Sequence, residues 1–185
     1  PFFTGYLLYI SLQESIIDDY KISIIQPNIN LIKKRDYNRR FENLDNLITS
    51  SKQSIKDGAD LILWPESALS HNSLQDSKIF NYIKYNLLNN TDVSLLTGNI
   101  IYENGKSYNS SVLLNENGIK NIYYKRQLVP VAEYVPLSEK IPSLKNLNLG
   151  QANFSMGQND LLFDVKNKKF PSLICFESTF PEINR

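Results

Sequence analysis

Apolar residues fall along this chain in two rhythms, one of strands and one of helices. Lys21-Ile22-Ser23-Ile24-Ile25-Gln26 reads as a short buried strand, closed by Pro27-Asn28. From Asp36 onward, Tyr37, Phe41, Leu44, Leu47, Ile48 and Ile55 recur at helical spacing. Asp36 is placed to cap that helix and Gly58 to stop it. Asp60-Leu61-Ile62-Leu63-Trp64-Pro65 is apolar without alternation, as a strand covered on both faces should be. A second helix is expected from about Asp76 to Leu88, with Ile79, Phe80, Ile83 and Leu87 on one side.

Val93 to Ile100 reads as a third strand. After it the texture changes to hairpins. Tyr108 to Leu114 and Ile119 to Tyr124 are strands joined by the turn signal Asn115-Glu116-Asn117-Gly118. Residues 126–158, rich in Pro, Asn, Gly and Ser, read as a long irregular loop, which inside a compact domain usually has a function. Leu161 to Val165 and Lys169 to Cys175 form a last hairpin around Lys166-Asn167-Lys168. Strand–helix–strand–helix–strand followed by hairpins predicts an α/β domain with a mixed sheet. Gly98 and Gly105 are isolated, and there is no repeat, linker or Gly-rich phosphate loop.

Composition narrows the picture only slightly. At 185 residues and a formal charge of +1, the chain is long enough for one substantial core. It has no basic run interleaved with aromatics, so nucleic acid is not an expected partner. Lys33-Lys34-Arg35 and Arg39-Arg40 form a local basic cluster, either a solvated face or an attraction for anionic lipid. Residues 1–15 begin with an apolar, aromatic stretch, Pro1 to Leu12, too short to span a bilayer, which needs about 20 residues. They read as an ordinary first element or as the end of a transmembrane helix. The domain proper is expected over residues 20–185, in a fragment truncated at both ends.

Candidate chemistry starts from Cys175, the single cysteine. It cannot form an internal disulfide, and one histidine makes a zinc cage a poor fit. It is either a small buried hydrophobe or a nucleophile presented where a strand meets a turn. Two other residues also follow apolar strands: Glu66 after Leu63-Trp64-Pro65, and Lys125 after Ile122-Tyr123-Tyr124. The C-terminal ends of strands are where open α/β sheets build their sites. A poorly solvated carboxylate there suits a general base, an ammonium can steady a developing oxyanion, and a thiol can accept an acyl group. Taken singly, Glu66 reads more readily as a helix cap and Lys125 as a surface lysine.

Trp64-Pro65-Glu66-Ser67, Tyr124-Lys125-Arg126-Gln127-Leu128-Val129-Pro130, Glu133-Tyr134-Val135-Pro136 and Ile174-Cys175-Phe176-Glu177 resemble the nitrilase (carbon–nitrogen hydrolase) superfamily. The run from Lys125 to Pro136, with Tyr108-Asn109-Ser110, resembles its bacterial apolipoprotein N-acyltransferase branch. The resemblance covers roughly residues 21–185. It implies a four-layer α–β–β–α sandwich with mixed sheets, incomplete at its C-terminus. It also implies Cys175 as the nucleophile that becomes a thioester, Glu66 as general base and Lys125 as oxyanion stabiliser. Glu133 would be a supporting glutamate near the lysine, and Glu177 a further supporting residue in the Cys-aromatic-Glu motif.

The implied reaction is ping-pong acyl transfer without metal or organic cofactor. A phospholipid would donate the acyl chain. The acceptor would be the α-amino group of the lipidated N-terminal cysteine of an apolipoprotein. The implied setting is the bacterial inner membrane, with this domain on the periplasmic side. The apolar residues Leu128, Val129, Val131, Tyr134, Val135, Leu137, Ile141, Leu144, Leu147, Leu149 and Phe154 fit a lid or portal for acyl chains, and equally fit core packing. A Trp usual in that branch after Gln26-Pro27-Asn28 is missing. Two other readings stand beside this one: a soluble amidase using the same three residues on a small amide, and a silent α/β binding domain.

Overall fold

The computed structural model describes residues 20–29, 37–69, 73–138, 140–141, 143–144 and 152–183. The expected apolar stub, the Asp36 cap, and Leu147 and Leu149 of the loop lie outside the described residues. Among those described, no helix is long and apolar enough to cross a membrane.

Strands β1 (Ile22–Ile24), β2 (Leu61–Leu63), β3 (Ser94–Glu103), β4 (Lys106–Asn115) and β5 (Gly118–Tyr124) form one sheet in sequence order. β1, β2 and β3 run parallel, β4 runs antiparallel to β3 and β5 antiparallel to β4, which is the expected mixed sheet. The parallel strands are linked by helices α1 (Arg40–Lys56) and α2 (Ser77–Ile83), the latter running on through a π turn, Lys84–Leu88. A short 3-10 turn, Tyr37–Arg39, leads into α1; Arg39 at the cap position makes no side-chain capping bond, its guanidinium donating instead to Glu42 at 3.2 Å. Gly58, at φ +82°, lies just beyond the helix as the sequence suggested. Asp76 caps α2 by accepting the Lys78 N–H at 2.9 Å.

Alternation along the strands splits the core in two. Ile62, Trp64, Leu95, Val112 and Leu114 pack with Leu44, Leu47, Ile48, Ile79 and Ile83 of the helices. Leu61, Leu113 and Tyr123 face the other way, onto Phe163, Val165 and Ile174. That second layer holds the hairpin β6 (Leu162–Val165) and β7 (Lys168–Pro171). Three layers of a sandwich are therefore described: helices, the five-stranded sheet and a two-stranded sheet.

Two boundaries differ from the expected ones. β3 runs to Glu103 instead of stopping at Ile100, because Asn104 and Gly105 (φ +51° and +74°) make a two-residue hairpin turn into β4. Positive φ at both central residues is what such a turn demands. The last strand ends at Pro171, so Cys175 does not end a strand; it opens a 3-10 turn, Cys175–Thr179. Residues 126–138 and 152–158 contain no α-helix or strand, only turns and isolated bridges.

A charged brace ties the small sheet to the large one. Lys166, in the β6–β7 turn, donates to Asp60 at 2.6 Å and lies 2.9 Å from Asp92. The Lys166 hydrogen bond, then the Lys21 backbone N–H, hold the Asp60 carboxyl below its usual range, and the bonds to Asp60 and then Asp92 raise Lys166. The lowered Asp60 contributes stability above the ordinary carboxylate range, lost as pH falls through its lowered value. The raised Lys166 contributes below the ordinary lysine range, lost as pH rises through its raised value. Lys166 and Asp92 are exposed, so screening keeps the sum small. Lys166→Met should cost less than about 1 kcal/mol near neutrality. In urea melts across pH, that cost should vanish in acid once Asp60 is protonated.

Candidate active site

Both ends of the sheet are built differently, and the end carrying the C-termini of β2 and β5 holds the chemistry. β2 delivers Glu66 in the turn Pro65–Ala68, closed by the Ala68 N–H on the Pro65 carbonyl at 3.1 Å, with Ser67 at φ +52°. β5 delivers Lys125, whose backbone N–H bonds the Asn109 carbonyl at 2.8 Å. Neither residue takes its bland alternative. Lys125 is buried to 1% exposure rather than lying on the surface. Glu66 accepts the Asn109 side-chain amide at 2.8 Å rather than capping a helix, but it is exposed and not the poorly solvated carboxylate expected, because the turn after β2 carries it out to the cavity mouth.

The Asn109 amide also reaches Glu133 Oε1 at 3.3 Å, and the same oxygen accepts Lys125 Nζ at 3.0 Å. The other Glu133 oxygen accepts the Val129 N–H at 2.7 Å. Glu66, Asn109, Glu133 and Lys125 thus form one hydrogen-bonded chain. A buried ammonium is costly unless paired, and Glu133 is its partner here.

Cys175 reaches this end of the sheet from the other layer. The hydroxyl of Ser172 bonds that of Ser111 on β4 at 2.8 Å, two residues from Asn109. Cys175 is exposed and sits at φ +53°. A non-glycine residue held left-handed on a sharp turn after a strand is strained, and such strain gathers at reactive positions. Glu66 and Cys175 line one cavity of about 590 Å³, walled by Leu63, Leu96 and Leu173 among others. Lys125 does not line it.

Glu177 joins the cysteine turn to the lysine strand. It is fully buried. One oxygen accepts the Tyr123 hydroxyl at 2.7 Å and the backbone N–H groups of Arg126 at 2.7 Å and Gln127 at 3.1 Å. The other accepts the Ile174 N–H at 2.9 Å. Burial first, then this carboxylate, push the Tyr123 phenol far above its ordinary range, so it stays a donor. The side-chain function of Asn109 was not legible beforehand, although Tyr108-Asn109-Ser110 was part of the resemblance. Tyr123, Ser111 and Ser172 gave none.

Residues 21–185 match the family model for carbon-nitrogen hydrolase. The chain belongs to the carbon–nitrogen hydrolase family. It is 32% identical over 184 residues to the apolipoprotein N-acyltransferase of Rickettsia prowazekii, covering 95% of this chain and 36% of that protein. It is 30% identical to the one from Geobacter metallireducens, covering 90% and 33%. The chain therefore spans about a third of the length of these relatives. Among solved structures, a glutamine-dependent NAD+ synthetase from Acinetobacter baumannii superposes at TM-score 0.58 and 22% identity, covering 78% of this chain and 26% of that one. An amidase from Nesterenkonia sp. does so at 0.54 and 15%, covering 89% and 56%. At those identities the neighbours establish the nitrilase-like fold alone.

Proposed function

We propose that this carbon–nitrogen hydrolase domain transfers a fatty acyl chain from a phospholipid to the N-terminal amine of a lipidated apolipoprotein, through a thioester on Cys175. The carrying observation is the shared cavity of Glu66 and Cys175, joined through Asn109 and Glu133 to a buried Lys125. Glu66 takes the thiol proton as sulfur attacks the ester carbonyl. The ammonium of Lys125 steadies the oxyanion, and the C–O bond breaks. The lysophospholipid oxygen leaves with the proton from Glu66. The amine then attacks the thioester, gives its proton to Glu66, and the thiolate departs and is reprotonated. Glu133 orients Lys125, and Glu177 positions the cysteine turn.

The loop beside Glu133 favours an acyl substrate over a small amide. Leu128 and Val135 are buried, but Val131, Leu137 and Ile141 are 50%, 59% and 44% exposed, and Met156 is 48% exposed. Several exposed apolar side chains on the segments bonded to Glu133 would suit a binding or membrane surface. The relatives named apolipoprotein N-acyltransferase support the same reading, with its membrane setting and its lipid and lipoprotein partners.

The test uses the full-length protein in detergent with a phosphatidylethanolamine donor. A hydroxylamine-sensitive acyl adduct should form on Cys175, seen by intact mass, and should clear when a diacylated lipopeptide is added. Lys125→Arg keeps the charge but swaps a compact ammonium for a planar fork. It should slow adduct formation about 100-fold or more, the loss typical of one oxyanion donor. No adduct, together with ammonia release from small amides, would sink the acyltransferase reading.

A further inference from the structure

Glu66 and its partner Asn109 belong to strands that are not neighbours. Asn109 is on β4, Glu66 follows β2, and β3 lies between them. Two interstrand spacings separate β2 from β4, about 9–10 Å. The two side chains nevertheless meet at 2.8 Å. The chain leaving β2 must therefore cross over β3. It stays in register through Trp64, whose N–H bonds the Leu96 carbonyl at 2.9 Å, and then crosses at Gly98.

Nothing but glycine fits at that crossing. A Cβ built on Gly98 would lie 2.6 Å from the Ser67 nitrogen, 2.8 Å from the Glu66 Cα and 2.9 Å from the Pro65 carbonyl oxygen. All three are backbone atoms of the turn that presents Glu66, so no side chain can swing aside. The backbone of Gly98 is not in the left-handed region, so the requirement is for space and not for conformation. The far side of the turn is tied to the same residue, the Leu69 N–H donating to the Gly98 carbonyl at 3.3 Å. On the other flank Gly98 pairs with Ser111 of β4, which holds Ser172 of the cysteine segment.

We propose that Gly98 is a positioning residue, a steric slot that lets the Glu66 turn cross β3 and fixes the height of the carboxylate over Asn109 and the Cys175 cavity. A methyl group there lifts the turn bodily, and a displacement of about 1 Å at a reacting group costs on the order of 100-fold in rate. The inference rests on Glu66 acting as the base for Cys175.

The experiment follows alkylation of Cys175 by iodoacetamide against pH in the full-length protein, a reaction that needs no lipid. Gly98→Ala should lower the alkylation rate near neutrality about 100-fold. In a Glu66→Ala background it should lower it no further, because the two changes act through one group. Gly105→Ala, strained at φ +74° in the β3–β4 turn, should lower the melting temperature and leave the rate per folded molecule unchanged. If Gly98→Ala does not fold, Gly98→Ala with Ser67→Gly loosens the turn and should restore folding but not the rate. A wild-type rate in either folded variant overturns the role of Gly98, as does a further loss on top of Glu66→Ala. A wild-type rate in Glu66→Ala alone overturns instead the assignment of the base.

Discussion

Cys175→Ala should abolish the acyl adduct and lower acyl transfer by about 10⁴-fold or more, the scale of losing a nucleophile. It should do so without unfolding the protein. The side chain is exposed, and alanine meets the same left-handed backbone, so stability should stay within about 0.5 kcal/mol of the wild type. Cys175→Gly sharpens the point. At φ +53° glycine escapes the left-handed penalty, partly offset by the greater freedom of its unfolded chain. That variant should be equally inactive yet more stable by about 0.5–1 kcal/mol in a urea melt. Stability and activity moving in opposite directions would mean that the turn is strained in order to present the thiol. Acyl transfer persisting in Cys175→Ala would rule out the thioester route.

The succession of strands and both helices was legible because each element depends on local periodicity. Leu61 and Leu63 face one layer and Ile62 the other, as an unbroken apolar run between two covers requires. The β3–β4 hairpin was missed although Asn104-Gly105 is a strong turn signal, because the expected strand stopped at Ile100 and left the dipeptide isolated. Cys175 was placed at a strand end, whereas it opens a turn three residues beyond Ser172. Positive φ at a cysteine is imposed by tertiary ties and leaves no local pattern. The three candidate residues stood out by type and position. What registers them did not: Asn109 bridging two carboxylates, Gly98 beneath Glu66 and three of the four donors on Glu177 are contacts across 24 to 54 residues of sequence or empty space where a Cβ would be.

Glu177→Ala should have the largest effect on stability of any change at this site. Its carboxylate is fully buried and accepts four hydrogen bonds, three from the lysine strand end and one from Ile174 beside the nucleophile. Removing it strands the Tyr123 hydroxyl and three backbone N–H groups away from water. Breaking such a buried charged network costs about 3–5 kcal/mol. Glu177→Gln separates stability from positioning. The glutamine keeps one acceptor oxygen, and three donors on one side outvote the single donor on the other, so that oxygen should face Tyr123, Arg126 and Gln127. Its NH₂ then meets the Ile174 N–H, donor against donor, and pushes the cysteine turn away. The cost should fall to about 1–3 kcal/mol, one unmet buried group. Cys175 alkylation should still drop about 100-fold, because the turn has lost its register with the lysine strand. Urea melts and alkylation rates on the same preparations read the two effects separately. A Gln variant that alkylates like the wild type would mean that Glu177 holds the fold together and does nothing for the thiol.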